Sequence, residues 1–323
     1  MRLRVVLLLT TIASSVFAED PAADAAITRG AEFLVKDALK WKEEHGCISC
    51  HHAGMIVWAL REAKQHGHAV NESVLAELTK WIAESGDGKT GVPRPEGRPK
   101  ALNTKPIWLG LALEADKMPD EASQQGLKLL LTTLKADQIE NGSWVAWPET
   151  RPPFFGGSDE SMTALALLTL HPAAAAGDPE AVAARDAGVK WLAATKSDDD
   201  PQSVAMRLLL AAKLGRPVVE MEPLAARIRE RQNADGGWSQ AVDMASDAWA
   251  TGQALYALTH AGAKPADENI SRGRAFLLKA QREDGSWPMT SRPMKPGDTG
   301  AKSLIPITGA GSAWGVIGLV RSS

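Results

Sequence analysis

Cysteine is nearly missing from this chain: two residues in 323, Cys47 and Cys50, set three apart. No second Cys/His pair with ligand spacing accompanies them, so a four-ligand zinc site lacks half of its donors. Tyrosine occurs once and phenylalanine five times, against 11 tryptophans. A fold that puts tryptophan at one recurring position explains that bias. Beyond the N-terminal segment no stretch is long and apolar enough to cross a bilayer. An excess of charge is missing too, with 36 Lys and Arg against 39 Asp and Glu, which leaves no footprint for nucleic-acid binding. What is present is a hydrophobic content of 44%, enough at this length to fill a sizeable core.

The N-terminal segment reads as a secretory signal rather than a membrane span. Arg2 and Arg4 precede the apolar run from Val5 to Leu9, and Val16-Phe17-Ala18 stands before Glu19-Asp20. Small residues at positions minus three and minus one predict cleavage after Ala18. Residues 1–18 are thus a signal peptide and 19–323 one mature domain, expected in the periplasm or outside the cell, where disulfides and c-type haems are both made.

Cys47-Ile48-Ser49-Cys50-His51 has the spacing at which two thioethers and an imidazole hold a c-type haem. Cys47 and Cys50 would add to the haem vinyl groups, and His51 would be the proximal iron ligand. Two other readings use the same residues: a Cys47–Cys50 disulfide with His51 as a bystander, and a zinc site.

Three later segments match one another: Gln138-Ile139-Glu140-Asn141-Gly142-Ser143-Trp144, Gln232-Asn233-Ala234-Asp235-Gly236-Gly237-Trp238 and Gln281-Arg282-Glu283-Asp284-Gly285-Ser286-Trp287. Their glutamines are 94 and 49 residues apart, two units and one unit of about 47, the length of a helical pair. Each follows an amphipathic helix such as Ser271 to Gln281 and precedes a second, more apolar one. The second helices are predicted at 53–65, 105–116, 159–170, 202–214, 247–258 and 312–320. Apolarity all round predicts that they form an inner ring, with the first helices outside. The chain is thereby expected to be all-α, a toroid of six helical hairpins with the Cys-x-x-Cys-His motif in the first hairpin loop.

With Gln-x-x-x-Gly-x-Trp in three copies, the chain resembles the squalene-hopene cyclase and prenyltransferase superfamily. It also resembles an exported bacterial subgroup with Cys-x-x-Cys-His-His near the N-terminus. The resemblance implies an (α/α)6 toroid in which the glutamines and tryptophans are structural, tying outer helices to inner ones. It also exposes a gap. The cyclases protonate their substrate from Asp-x-Asp-Asp-Thr-Ala, and the matching register here is Asp159-Glu160-Ser161-Met162-Thr163-Ala164. Neither serine nor methionine is acidic enough to protonate an alkene, so squalene cyclisation is not expected. Asp159, Glu160 and Asp247 remain as candidate acids, against helix capping and dipole complementation for the two aspartates. Aromatic faces for carbocations are limited to Trp58, Trp108, Trp249, Tyr256 and Trp314, and the zinc-bound cysteine of protein prenyltransferases has no counterpart.

If the haem sits at the mouth of the toroid, geometry narrows the distal ligand. His66, His68, His171 and His260 fall at the opposite ends of inner helices, while Met55 and His52 are too close to His51. Met244, Met289 and Met294 remain in mouth-side loops, with Met162 and Met206 in first turns; an open iron site and simple packing roles are the other readings. The loops at 88–99 and 288–307 have two readings, as carriers of residues that meet haem propionates and as ordinary connectors. The expected role is electron transfer or a haem-dependent redox or accessory function with a periplasmic redox partner. The alternative is a toroid enzyme or binding protein for an isoprenoid or other small apolar ligand, with the cysteines joined.

Overall fold

The computed structural model describes residues 20–45, 48, 50–84, 104–114, 121–146, 153, 157–293 and 303–323; the predicted signal peptide, the loop at 88–99 and residues 294–302 of the later loop lie outside them. Twelve helices run through these residues: α1 (Pro21–His45), α2 (Met55–Gln65), α3 (Glu72–Glu84), α4 (Lys105–Glu114), α5 (Glu121–Ala136), α6 (Asp159–Ala175), α7 (Pro179–Ala194), α8 (Pro201–Lys213), α9 (Val218–Glu230), α10 (Ala248–His260), α11 (Glu268–Ala280) and α12 (Ile305–Ser322). A π-helical turn, Cys50–Gly54, leads into α2, and two short antiparallel strands, β1 (Trp238–Ser239) and β2 (Ser246–Asp247), precede α10. None of the described helices is long and apolar enough to cross a membrane.

The even-numbered helices pack side by side in chain order and α12 returns to α2, so the inner ring is closed. Their burial is nearly continuous: every residue from Glu160 to Leu170 in α6 and from Ala248 to Leu258 in α10 is buried. The odd-numbered helices bury one face only, as α11 does with Ile270, Gly273 and Leu277, and form the outer ring. This is the all-α toroid of six hairpins that the repeat predicts.

The three Gln-to-Trp segments make one identical joint. Gln138, Gln232 and Gln281 each donate from Nε2 across to the next outer helix, at Ala184 O (2.8 Å), Asn269 O (2.8 Å) and Ala26 O (2.8 Å). Each indole Nε1 donates back to its own outer helix, at Leu134, Ile228 and Leu277. Each tryptophan backbone N–H donates to a hydroxyl on the following inner helix, Thr163, Thr251 or Ser312. The glutamines therefore tie outer helix to outer helix, and the tryptophan backbone makes the outer-to-inner link. Glycine is required at the turn twice over: Gly142, Gly236 and Gly285 have φ of 94°, 91° and 86°, and a Cβ there would strike the carbonyl of Ala187, Arg272 or Arg29. Residues Gly188, Gly273 and Gly30 then leave room for the indole rings. The third joint fastens α11 to α1 and closes the circle.

Helix α12 starts at Ile305, seven residues before its predicted start. Glycine lowers intrinsic helix propensity, but Gly309, Gly311, Gly315 and Gly318 are where α12 lies against Asp37 and His52, Met289, Trp287 and α10. Close packing overrides local preference there.

The five inner-helix rings meet one another across the lumen. Trp108 of α4 and Trp249 of α10, from opposite sides of the ring, have centroids 6.1 Å apart, and Trp249–Trp314, Trp58–Trp314 and Trp58–Tyr256 follow at 6.2, 5.1 and 5.6 Å. All are edge-to-face contacts of the favourable kind. The lumen is bridged at this level.

Candidate functional site

The π-helical turn places His51 and His52 at the N-terminal end of α2, facing the last turns of α1. His51 is 8% exposed and His52 fully buried. Trp41 of α1 stacks between His45 and His52, with centroids 3.8 and 4.2 Å away, and meets His51 edge-on at 4.9 Å. Asp37 Oδ2 lies 3.0 Å from His52 Nε2, and His52 Nδ1 contacts His51 Nδ1. The nearby carboxylate favours the tautomer with the proton on His52 Nε2; in that form His52 Nδ1 is the acceptor, His51 Nδ1 the donor, and the lone pair lies on His51 Nε2. Burial, and after it the neighbouring His52 and His45, hold the His51 pKa well below the usual imidazole range. A neutral imidazole with its lone pair on Nε2, backed by a carboxylate–imidazole chain, is the form that binds a metal. Gly309 of α12 makes the room, since a Cβ there would sit 2.7 Å from Asp37 Oδ2 and 3.3 Å from His52 Nε2. The described residues thus fit a proximal haem ligand. Cys47 and Ser49 lie outside the described residues, and Cys50 is described by its backbone alone.

The distal candidates separate. Met289 is buried with its Sδ against Gly311, a packing position. Met244 is half-buried beside β2, and Met294 lies outside the described residues. Met162 and Met206 are fully buried in the core. Arg292, from the loop expected to meet propionates, turns inward instead: it is 4% exposed and donates from Nε to Gln240 Oε1 at 3.0 Å.

The candidate acids cap and tie helices. Ser158 caps α6 in a capping box with Ser161, and Asp159 Oδ1 accepts from Ala146 N at 2.7 Å, fixing the chain that leaves Trp144. Glu160 is buried, accepts from Asp198 N at 2.7 Å and pairs with Arg207 Nε of α8 at 2.5 Å. Burial raises its pKa, opposed by the Asp198 amide and Arg207. Asp247 is the N-cap of α10, accepting from Ala250 N at 2.9 Å and from Gln240 Nε2 at 2.6 Å. Burial raises its pKa to about 6, with Arg292 acting the other way. Asp200, the N-cap of α8, holds Ser203 N at 3.0 Å and is also raised by burial. Arg292 thus faces the buried Asp247 and the half-buried Asp200, and its charge is compensated there.

The far ends of the inner helices carry the histidines that spacing placed there. Tyr256 donates to Glu62 Oε1 at 2.7 Å, and Arg321 reaches His66 Nε2 at 2.8 Å and His260 Nε2 at 3.5 Å. Burial, then Lys213 and Arg321, push the His260 pKa down to about 3. Cations at helix C-termini complement the dipole.

Sequence reasoning passed over Asp37, Gln202, Gln240 and Gln253. The available signal was an amide in an otherwise apolar inner helix, at Gln202 in α8 and Gln253 in α10.

The family model for the squalene-hopene cyclase N-terminal domain matches residues 200–281. No curated protein matches the chain. Among solved structures, a type II terpene cyclase from Scytonema with bound geranylgeranyl dihydroxybenzoate is similar with a TM-score of 0.56 at 15% identity, over 93% of this chain and 98% of that one. A glycosidase gives 0.61 at 12% identity over 93% and 99%, and a UGL variant bound to dGlcA-Glc-Rha-Glc gives 0.62 at 16% over 92% and 95%. Such identities speak for the toroid alone, a fold that serves unrelated chemistries.

Proposed function

We propose that this chain is an exported monohaem c-type protein that uses a squalene-cyclase-like toroid as a rigid carrier and passes single electrons to a periplasmic partner. Cys47 and Cys50 would hold the haem through thioethers and His51 would be the proximal ligand; the haem supplies the one-electron chemistry. The observation that carries this reading is the Asp37–His52–His51 chain, which favours the His51 tautomer for ligation through Nε2 and locks the ring against Trp41. Structural and catalytic cysteines alone would give no reason for a half-buried carboxylate set against a buried imidazole pair beside the motif.

The alternative, a toroid acting on an isoprenoid or another apolar ligand with Cys47 and Cys50 joined, has one observation in its favour: Asp247, a buried acid with a pKa near 6. The Trp108–Trp249 bridge and the loss of acids at Ser161 and Met162 weigh against a long polyprene.

Expression in cells with the c-type maturation machinery separates the two. The proposal expects a pyridine haemochrome spectrum, a haem-stained band that survives denaturing electrophoresis, one thioether fewer in Cys50→Ser and disturbed axial ligation in His51→Ala. Asp37→Asn should keep the haem but alter its spectrum, because the proximal ring loses its anchor. A colourless, folded wild-type protein whose mass is lower by two hydrogens would establish the disulfide and overturn the haem.

A further inference from the structure

Between α8 and α10, behind β1, a narrow crevice runs inward to two glutamines. Gln202 and Gln253 are each 2% exposed. Neither amide atom of Gln202 has a hydrogen-bond partner, and neither does Gln253 Nε2. Buried polar groups are almost always satisfied, and an unpaired amide costs about 1–3 kcal/mol. Two such side chains lining one crevice point to something that occupies it.

The crevice itself has about 20 Å³ free for the centre of a small group, room for roughly one water or one hydroxyl. Outward it shares Pro201, Arg231 and Trp238 with a surface groove of about 380 Å³, lined further on by Asn233, Ser239 and Met244. The site is therefore a slot with a wide outer chamber and a bottom that admits one heavy-atom branch.

Charge and valence select the ligand. Arg292, which also lines the crevice, is held by Gln240 and faces Asp200 and Asp247, so its charge is already compensated and gives little pull on an ion. The unpaired atoms are one carbonyl acceptor and two amide donor groups on neutral side chains. A carboxylate would satisfy the donors but set an anion against Gln202 Oε1; an ammonium would do the reverse. A hydroxyl both donates and accepts, so it can use both kinds of atom at once.

We propose that the crevice and groove form a binding site for a neutral polyhydroxylated molecule, a sugar or a polyol, which enters with a hydroxymethyl end between Gln202 and Gln253 and leaves its remainder in the outer groove. This site is separate from His51 and independent of the haem.

Calorimetric titration of the full chain with D-glucose, sorbitol and glycerol, and with acetate and phosphate as ionic controls, tests it. Saturable binding of a neutral probe with Kd of about 1 mM is expected, with no response to the ions. Polyols also stabilise proteins by exclusion from their surfaces, so variants are needed. Gln202→Met keeps the side-chain shape and removes both unpaired atoms; without ligand its Tm should equal or exceed that of wild type, and its affinity should fall at least about tenfold. Gln253→Met should lose affinity similarly. If Gln202→Met shows the same polyol-dependent rise in Tm as wild type with no saturable heat in either, or if a crystal soaked in glucose holds only a water between the two amides, the site is structural and the proposal fails.

Discussion

Two stretches occupy the same place in the repeat, after an outer helix and before an inner one, and the chain fills them differently. At the joint between α11, α12 and α1, Gln281, Gly285 and Trp287 satisfy carbonyls, close a turn and bury an indole. After α1 the slot holds Cys-x-x-Cys-His-His, and its contacts are two buried imidazoles with the half-buried Asp37 carboxylate and Trp41. The first solution is chemically inert and recurs three times. The second occurs once, with buried titratable groups that a purely structural joint has no use for. The toroid can do without the regular joint here because the packing of neighbouring inner helices and the α12–α1 contact hold the ring.

The largest effect should come from breaking the regular solution. Trp287 is fully buried, its Nε1 is bonded to Leu277 O, and its joint closes the circle. Trp287→Ala is expected to cost about 3–5 kcal/mol, measured by urea unfolding, and to lower cooperativity because α1 and α11 lose their link. Trp144→Ala, in an internal joint, should cost as much but leave a single transition. Equal transition shapes in the two variants would mean that ring closure does not depend on this joint.

The next effect lies between the two solutions, at Asp247. Its folded-state pKa of about 6 lies well above the ordinary aspartate range. The folded state thus binds this proton more tightly than the unfolded chain, so the contribution to stability is full below about pH 4 and is lost as the pH rises through about 6. The difference amounts to about 2–3 kcal/mol. Asp247→Asn keeps a cap and cannot titrate, so wild type should lose about that much relative to the variant between pH 4 and pH 8. A pH-independent difference in urea midpoints would show that Arg292 and Gln240 already offset the burial.

Much of this architecture was legible in advance, and the reason is periodicity. Three copies of Gln-x-x-x-Gly-x-Trp and six apolar helices carry enough repeated information to fix the ring, the two layers and the positions of His66, His171 and His260 at the far end. Partners that are distant in sequence were not legible. Nothing local marks Asp37 as the residue behind His52, or Ala26, Ala184 and Asn269 as the carbonyls that receive the glutamines; each follows from a glycine four positions later, Gly30, Gly188 or Gly273, whose function shows only when an indole lies over it. Arg292 sits in a Pro- and Gly-rich loop expected to meet haem propionates, yet the buried Asp247 and the half-buried Asp200 draw it inward.

A smaller change tests the polar half of the joint. Gln281→Leu removes the donor to Ala26 O and Gly285 O while Trp287 stays. Leaving those carbonyls short of a partner should cost about 1–3 kcal/mol, less than Trp287→Ala in the same titration. If the order is reversed, the outer-to-outer hydrogen bond rather than the buried indole dominates the joint.

The smallest effect is expected where the cyclase register survives in part. Asp159 follows the true cap, Ser158, and uses Oδ1 to accept from Ala146 N at 2.7 Å. Asparagine offers the same acceptor at the same reach, so Asp159→Asn should alter stability by about 0.5 kcal/mol or less. Chemistry should be unaffected as well, because Ser161 and Met162 stand where the protonating acids would be and Glu160 is committed to Arg207 and the Asp198 amide. Incubation of wild type and Asp159→Asn with squalene and shorter polyprenes, followed by product analysis, should show no cyclic product from either. Cyclic products from wild type that vanish in the variant would instead make Asp159 a proton donor, and the aromatic bridge across the lumen would then have to open to admit a substrate.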